Sequence, residues 1–341
     1  MRESMYRLTK EIFSEIESRN KYFLRVVSIL LVSVVFVYVF SIVFVGRYRI
    51  DLLKIFSGQE EYSLILGLRL LRVSFALLAG AVLASSGAAM QSLFRNPLAS
   101  PDVIGVSQGA AFGVALGILL LSYNYLLIEA IAFLTALLSL LMTISLSRLF
   151  RYGDEVLRLV LAGIAVSAIF SSGVGYIKYI ADPYNKLPQI IFWLLGSFST
   201  IKWVEMIIFT PMIIVSLVIL VLFSWRLNIL SLGDEEARAL GIRPSLNRII
   251  VILAVVLGVS SVTCVAGIIS WIGLVTPHII RSLVGAENRR VIISSMLLGS
   301  SLMILADDLA RSLIESELPL NIVTSVLMIP IFILLLSRRR W

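Results

Sequence analysis

The stretch Ile249–Ile280, IIVILAVVLGVSSVTCVAGIISWIGLVTPHII, runs for 32 residues without a charge and is interrupted by Gly267, Gly273 and Pro277. A membrane-spanning helix takes about 20 apolar residues, so this stretch is too long for one ordinary span and short for two. How it is divided sets the side of the membrane on which every later segment lies. Eight other uncharged runs, at 26–46, 73–94, 103–128, 130–147, 159–177, 206–225, 291–306 and 318–337, bring the count to nine, or to ten helices if 249–280 folds as two.

Basic residues decide between the counts, because Lys and Arg gather on the cytoplasmic side of short loops. With the N-terminus inside and ten helices, 20 Lys/Arg fall inside and nine outside, Arg47, Arg49 and Lys54 among the latter; with nine helices the split is 15 against 14. The sequence therefore predicts an all-α polytopic membrane protein with ten transmembrane helices and both termini cytoplasmic. Arg281 and Arg289 then mark the inner end of a short eighth span. The turn near Gly267 to Gly273 becomes non-helical backbone at membrane depth. Such backbone is tolerated only where protein or a water-lined cavity satisfies its amides and carbonyls, so it is expected to face the bundle interior.

Composition agrees with a membrane protein. Of 341 residues 59% are hydrophobic and 15% charged, with a mean hydropathy of +0.99. A soluble domain of that balance would expose large apolar patches. The net charge of +8 follows from the cytoplasmic bias of Lys and Arg and needs no nucleic-acid partner. One Cys and one His exclude disulfide scaffolds and Cys/His zinc clusters, and no metal site is expected. The mixed-charge segment 1–21 reads as a cytoplasmic tail rather than a cleavable signal. Residues 22–341 contain no hydrophilic stretch long enough for a second domain. Small residues crowd the runs 73–94 and 103–128, which predicts close helix approach and a central position for both.

No Gly-x-x-x-x-Gly-Lys-[Ser/Thr] motif occurs, so the chain does not cradle nucleotide phosphates, and no cofactor is expected in it. Between two spans, the loop 226–248 is the longest cytoplasmic connection. Within it Asp234 to Leu240 reads as a short helix, with Asp234, Glu235 and Glu236 in the first turn and Arg238 further along, as the helix dipole favours. Gly241 ends it and Pro244 blocks continuation. By residue pattern alone this is a capped surface helix joining two spans. Arg69, Arg72 and Arg311 fall on the outer side, where a single Arg commonly snorkels to the interface. Asp307 and Asp308 precede Arg311 by one helical turn, and ion pairing that steadies Arg311 is the simple account of them. His278, without a partner nearby in sequence, reads as a hydrogen-bonded helix residue.

Taken in order, Arg69-Leu-Leu-Arg72, Gln91-Ser-Leu-Phe-Arg-Asn96-Pro97-Leu98-Ala99, Leu232-Gly-Asp-Glu-Glu-Ala237-Arg-Ala-Leu-Gly241, Gly273-Leu-Val-Thr-Pro277-His278, Leu305-Ala-Asp-Asp-Leu-Ala-Arg311 and Glu317-Leu-Pro319 resemble the permease family of ATP-driven importers for iron-siderophores, haem and vitamin B12. The resemblance covers roughly residues 65–340. It implies a permease subunit of an ABC transporter in the cytoplasmic (inner) membrane, a homodimer with two copies of a P-loop ATPase subunit, fed by an extracytoplasmic substrate-binding protein. It implies further that Arg69, Arg72 and Arg311 meet acidic residues of the binding protein, and that Asp234, Glu235, Glu236, Ala237, Arg238 and Gly241 form the helix that couples to the ATPase. Asn96 and Leu98 match one cytoplasmic gate position, and Val156 and Leu157 another. A pathway along the dimer axis would be lined by Ser167, Ser171 and Ser172 in the run 159–177 and by Asn321 and Thr324 in the run 318–337. Two departures stand out: Leu71 replaces the proline usual between the two arginines, and Val156-Leu157 replaces small polar residues.

A reading from another class is a secondary carrier driven by protons or sodium, which would need an intramembrane carboxylate such as Asp307 or Asp308. No nucleophile–base pair, metal-ligand cluster or His-based acid/base set argues for an enzyme. The cargo itself leaves no mark on the sequence.

Overall fold

The computed structural model describes residues 2–46, 60–121 and 124–338, and side chains within 17–337. Arg47, Arg49 and Lys54, counted above on the outer side, lie outside the described residues, as do Arg339 and Arg340 at the C-terminal end. Among the described residues twelve α-helices follow in chain order: α1 (Arg2–Phe44), α2 (Glu60–Leu93), α3 (Val106–Leu121), α4 (Tyr125–Leu149), α5 (Glu155–Ile180), α6 (Lys186–Leu195), α7 (Trp203–Leu230), α8 (Asp234–Ala239), α9 (Pro244–Ala266), α10 (Ile272–Val284), α11 (Asn288–Ser312) and α12 (Leu320–Arg338). A 3₁₀ turn, Pro101–Ile104, precedes α3, and no strand occurs among the described residues. Eight of the helices are long and apolar enough to cross a membrane, while α3, α6 and α10 are apolar but shorter.

The decisive stretch does fold as two helices. Gly267 caps α9 with φ +78°, a backbone state that suits glycine, and Trp271 opens α10 with φ +72°. The turn between them is held by protein. Ser197 N donates to Ala266 O (2.9 Å), and Gly267 N donates to Thr263 O (2.9 Å). A Cβ at Gly267 would overlap the Trp193 carbonyl and would crowd Gly196, so the backbones are in direct contact. Helix α10, at 13 residues, rises only about 20 Å against a hydrocarbon thickness of about 30 Å. The turn preceding it is therefore set back from the end of the bundle and needs these protein partners.

Helices α2 and α9 form the centre. Of the apolar window of α9, 78% is buried, against 22% for both α7 and α12. Every residue from Ala79 to Leu93 of α2 is buried. Its small residues act as the sequence suggests: a Cβ on Gly80 would overlap the Gly299 carbonyl of α11, and one on Gly87 the Gly273 carbonyl of α10. Glycine at these crossings lets the backbones touch and the dispersion contacts close. Where Leu71 stands in place of a proline, α2 runs through without a break. At 34 residues it is about 50 Å long, and Arg69 and Arg72 lie in its third and fourth turns, N-terminal to the long buried section that follows. Pro244, expected only to block α8, instead occupies the first turn of α9, where its missing N–H costs nothing. Likewise Arg289 belongs to the first turn of α11 rather than to the end of α10.

Candidate functional site

At the end of the bundle where α1 stops and α2 begins, three arginines gather around three carboxylates. Arg72 makes a double fork: Nη2 lies 2.8 Å and Nε 3.0 Å from Asp307 Oδ1, while Nη1 and Nη2 donate to the Glu317 carboxylate at 3.1 and 3.0 Å. Arg311 Nη2 donates to Asp308 Oδ1 (2.5 Å) and to Ser41 Oγ (2.6 Å), whose own hydroxyl reaches Asp308 (2.6 Å). Arg69 Nη1 donates to Ile42 O (3.0 Å) beneath Gly46. All three arginines line one cavity of about 340 Å³ together with Leu68, Phe198 and Glu317. Glu317 holds φ +58°, an uncommon state for a non-glycine residue, and so swings its carboxylate onto Arg72. The sequence brought Asp307 and Asp308 to Arg311 alone. In the structure Asp308 serves Arg311, whereas Asp307 pairs chiefly with Arg72 and lies 3.7 Å from Arg311.

At the opposite end, Asp234 to Ala239 forms the short helix α8, with Ala237 fully buried beneath it and Gly241 turning out of it at φ +78°. Glu235, Glu236 and Arg238 are not buried. Asp234 accepts from Arg248 Nη2 at 2.8 Å, and Arg248 Nη1 donates to Glu155 Oε2 at 2.6 Å. Beside Glu155, the N-cap Asp154 accepts from Leu157 N (2.8 Å) and pairs with Arg95 (3.3 Å). The segments carrying Asn96 and Leu98 and carrying Val156 and Leu157 are thereby joined. Asn96, Leu98 and Leu157 are exposed, whereas Val156 is buried and packs in the core.

On α5, Ser171 and Ser172 are exposed and Ser167 is half-buried against Gly105. On α12, Asn321 is half-buried, but Thr324 is fully buried with its hydroxyl turned to Asn321 O (3.3 Å). Thr324 therefore faces the core of this chain. His278 is buried edge-on to Phe332, ring centroids 6.0 Å apart. Among the described residues no group of three or more His, Cys, Asp or Glu side chains could hold a metal.

Sequence reasoning passed over two features. One is Arg248, the last charge before the 32-residue run and almost wholly buried. The other is a pair of buried carboxyls, Glu129 of α4 and Glu205 of α7, which face each other in a cavity of about 690 Å³ beside Lys202. Both glutamates sit at the margins of apolar runs, and that position was the available signal.

A multi-pass bundle with a short acidic helix exposed at one end and an arginine-lined cavity at the other is that of a membrane transport permease. The chain belongs to the FecCD transport family, which it matches over residues 29–338. It is 40% identical over 278 residues to the molybdate import system permease protein MolB of Haemophilus influenzae, covering 80% of each chain. To the hemin transport system permease protein HmuU of Yersinia pestis it is 38% identical over 296 residues, covering 83% of this chain and 86% of the relative. A solved structure described as an inward-facing conformation of a metal-chelate type ABC transporter superposes with a TM-score of 0.86 at 35% identity, covering 92% of this chain and 99% of the other. The protein is thus a permease of the iron-chelate, haem and vitamin B12 family of ABC transporters, a transport subunit.

Proposed function

We propose that this chain is the membrane-spanning subunit of an ATP-driven importer for a metal chelate, with an iron-siderophore, haem or cobalamin as cargo. The carrying observation is the pairing of α8 at one end with the three-arginine cavity at the other. Ten spans follow if α3 and α10 are counted with the eight long helices, and both termini then lie in the cytoplasm. The chain sits in the inner membrane as a homodimer, with two ATPase subunits at Asp234–Arg238 and Gly241 and with a binding protein at Arg69, Arg72 and Arg311. Carboxylates of the binding protein suit the guanidinium forks, whose planar geometry fixes register. Cargo passes between the facing α5 and α12 of two copies. Exposed apolar residues on both helices, such as Ile164, Ile169, Ile322 and Val326, support a contact there. Ser167, Ser171, Ser172 and Asn321 are its polar lining, Asn96, Leu98 and Leu157 its inner gate, and no cofactor resides in the chain. Relatives of nearly equal identity are named for molybdate and hemin, so the permease sequence constrains cargo weakly and the binding protein selects it.

The test is purification of the tagged protein from its own membranes in mild detergent. A P-loop ATPase in equal amount, lost from Glu236→Ala and Arg238→Ala, is the expected result. A preparation without ATPase that still drives gradient-dependent uptake in vesicles would overturn the reading. That outcome belongs to the second reading, a proton- or sodium-coupled carrier. Glu129 and Glu205 give it its observation, since buried facing carboxyls suit a transported cation.

A further inference from the structure

Arg248 is among the most buried side chains of the protein, with 1% of it exposed, yet it lies in the second turn of α9, close to the end that carries α8. A buried guanidinium requires partners, and its planar fork fixes where they stand. One arm holds Asp234, the first residue of α8. The other arm holds Glu155, the first residue of α5, whose carboxylate also accepts from Ser245 Oγ at 2.8 Å. Glu155 is followed at once by Val156 and Leu157 and preceded by Asp154, which pairs with Arg95 beside Asn96 and Leu98. Two ion pairs through one guanidinium, and a third one residue along the chain, thus connect α8 to both gate segments. Among the described residues, no backbone hydrogen bond in the turns of this region makes the same connection between α8 and α5.

We propose that Arg248 is a positioning residue that locks α8 to the start of α5, so that a displacement of α8 carries the Asn96–Leu98 and Val156–Leu157 segments with it. This rests on the importer reading, in which α8 receives the movement of the ATPase. Two features favour a link over a plain anchor. Asp234 and Glu155 are each about a quarter exposed, 26% and 28%, so they stay solvated if Arg248 is replaced and the fold does not depend on them. Ala237 is already buried under α8 and holds it in place without a charge. Removing the guanidinium therefore loosens one helix relative to another more than it unfolds either.

The test uses the complete complex with its ATPase in lipid nanodiscs. Leu98→Cys serves as reporter, because Leu98 is 55% exposed while Cys264, the only native cysteine, is buried. Labelling by a charged maleimide is timed with Mg-ATP plus orthovanadate and with ADP. In the Leu98→Cys parent the nucleotide is expected to change the rate about tenfold, the scale of a coupling free energy of about 1.4 kcal/mol. In Arg248→Met, and separately in the milder Glu155→Gln, the change is expected to fall below about twofold while ATP hydrolysis continues; the double variant should be no worse than either single one. Retention of the tenfold nucleotide effect in Arg248→Met or Glu155→Gln overturns the inference and leaves the importer reading intact. A parent that carries no ATPase overturns the importer reading and the link with it. A parent that hydrolyses ATP without any change at Leu98 overturns the gate assignment on which the link depends.

Discussion

Replacing Arg72 with Gln tests whether the outer cluster is held by internal charge compensation. Asp307 is 1% exposed, and three of its contacts, at 2.8 to 3.0 Å, go to Arg72. Removing one partner of a buried pair leaves an uncompensated charge and costs about 3–5 kcal/mol. Arg311 remains 3.7 Å away and offsets part of this, while the Glu317 arm, 26% exposed, adds no more than about 1 kcal/mol. The expected loss is thus about 3 kcal/mol, near the lower end of that range. At about 2 cal/mol/K per residue, a chain of 341 residues turns this into a fall of about 4 °C in the unfolding midpoint. The assay is thermal unfolding of purified protein in dodecyl maltoside for Arg72→Gln, Asp307→Asn and the double variant. Removing both charges restores neutrality, so the double variant should lie above the sum of the singles by at least about 1.5 kcal/mol. An unshifted Arg72→Gln, or strict additivity, would refute the argument. The same pair separates folding from docking. Asp307→Asn keeps the guanidinium and should bind the partner binding protein, while Arg72→Gln should not.

Gly80→Val drives a side chain into the Gly299 carbonyl and is expected to cost more than about 2 kcal/mol and most of the folded yield by fluorescence-detected size exclusion, whereas Gly175→Ala, with open space around it, should gain up to about 1 kcal/mol. Glu317→Gln removes the most exposed carboxylate of the arginine cluster and should tighten binding-protein affinity about threefold at low salt, read by surface plasmon resonance; weaker binding would count against docking on these arginines. Glu129→Gln should leave ATP-driven haem uptake in proteoliposomes within about twofold of the parent, since uniform packing changes at one carboxyl move rates little, and abolished uptake would promote the cation-coupled reading.

What the sequence carries and what it lacks divide along one physical line. Breaks are local, so they were legible: Gly267 with positive φ and the polar Asp234–Gly241 run mark turn and helix where they occur. The division of 249–280 into two helices followed from the same punctuation. Pairings between distant segments were not legible. The helical rule that residues three and four apart share a face assigned both Asp307 and Asp308 to Arg311. Successive residues, however, point about 100° apart around an α-helix. Asp308 can therefore face Arg311 and Ser41 while Asp307 turns toward α2, where Arg72, 235 residues earlier, supplies a better fork. Arg248 repeats the case: its partners lie 14 and 93 residues away. The burial of Thr324 was illegible for a different reason. A small hydroxyl on an apolar helix can satisfy itself on its own backbone, so a polar residue type did not imply a polar face. In a chain with so few charges, each buried one must find a partner, and here most partners lie on another helix. The ion pairs therefore record the tertiary arrangement that hydropathy leaves out, and they gather into two clusters at opposite ends of the bundle.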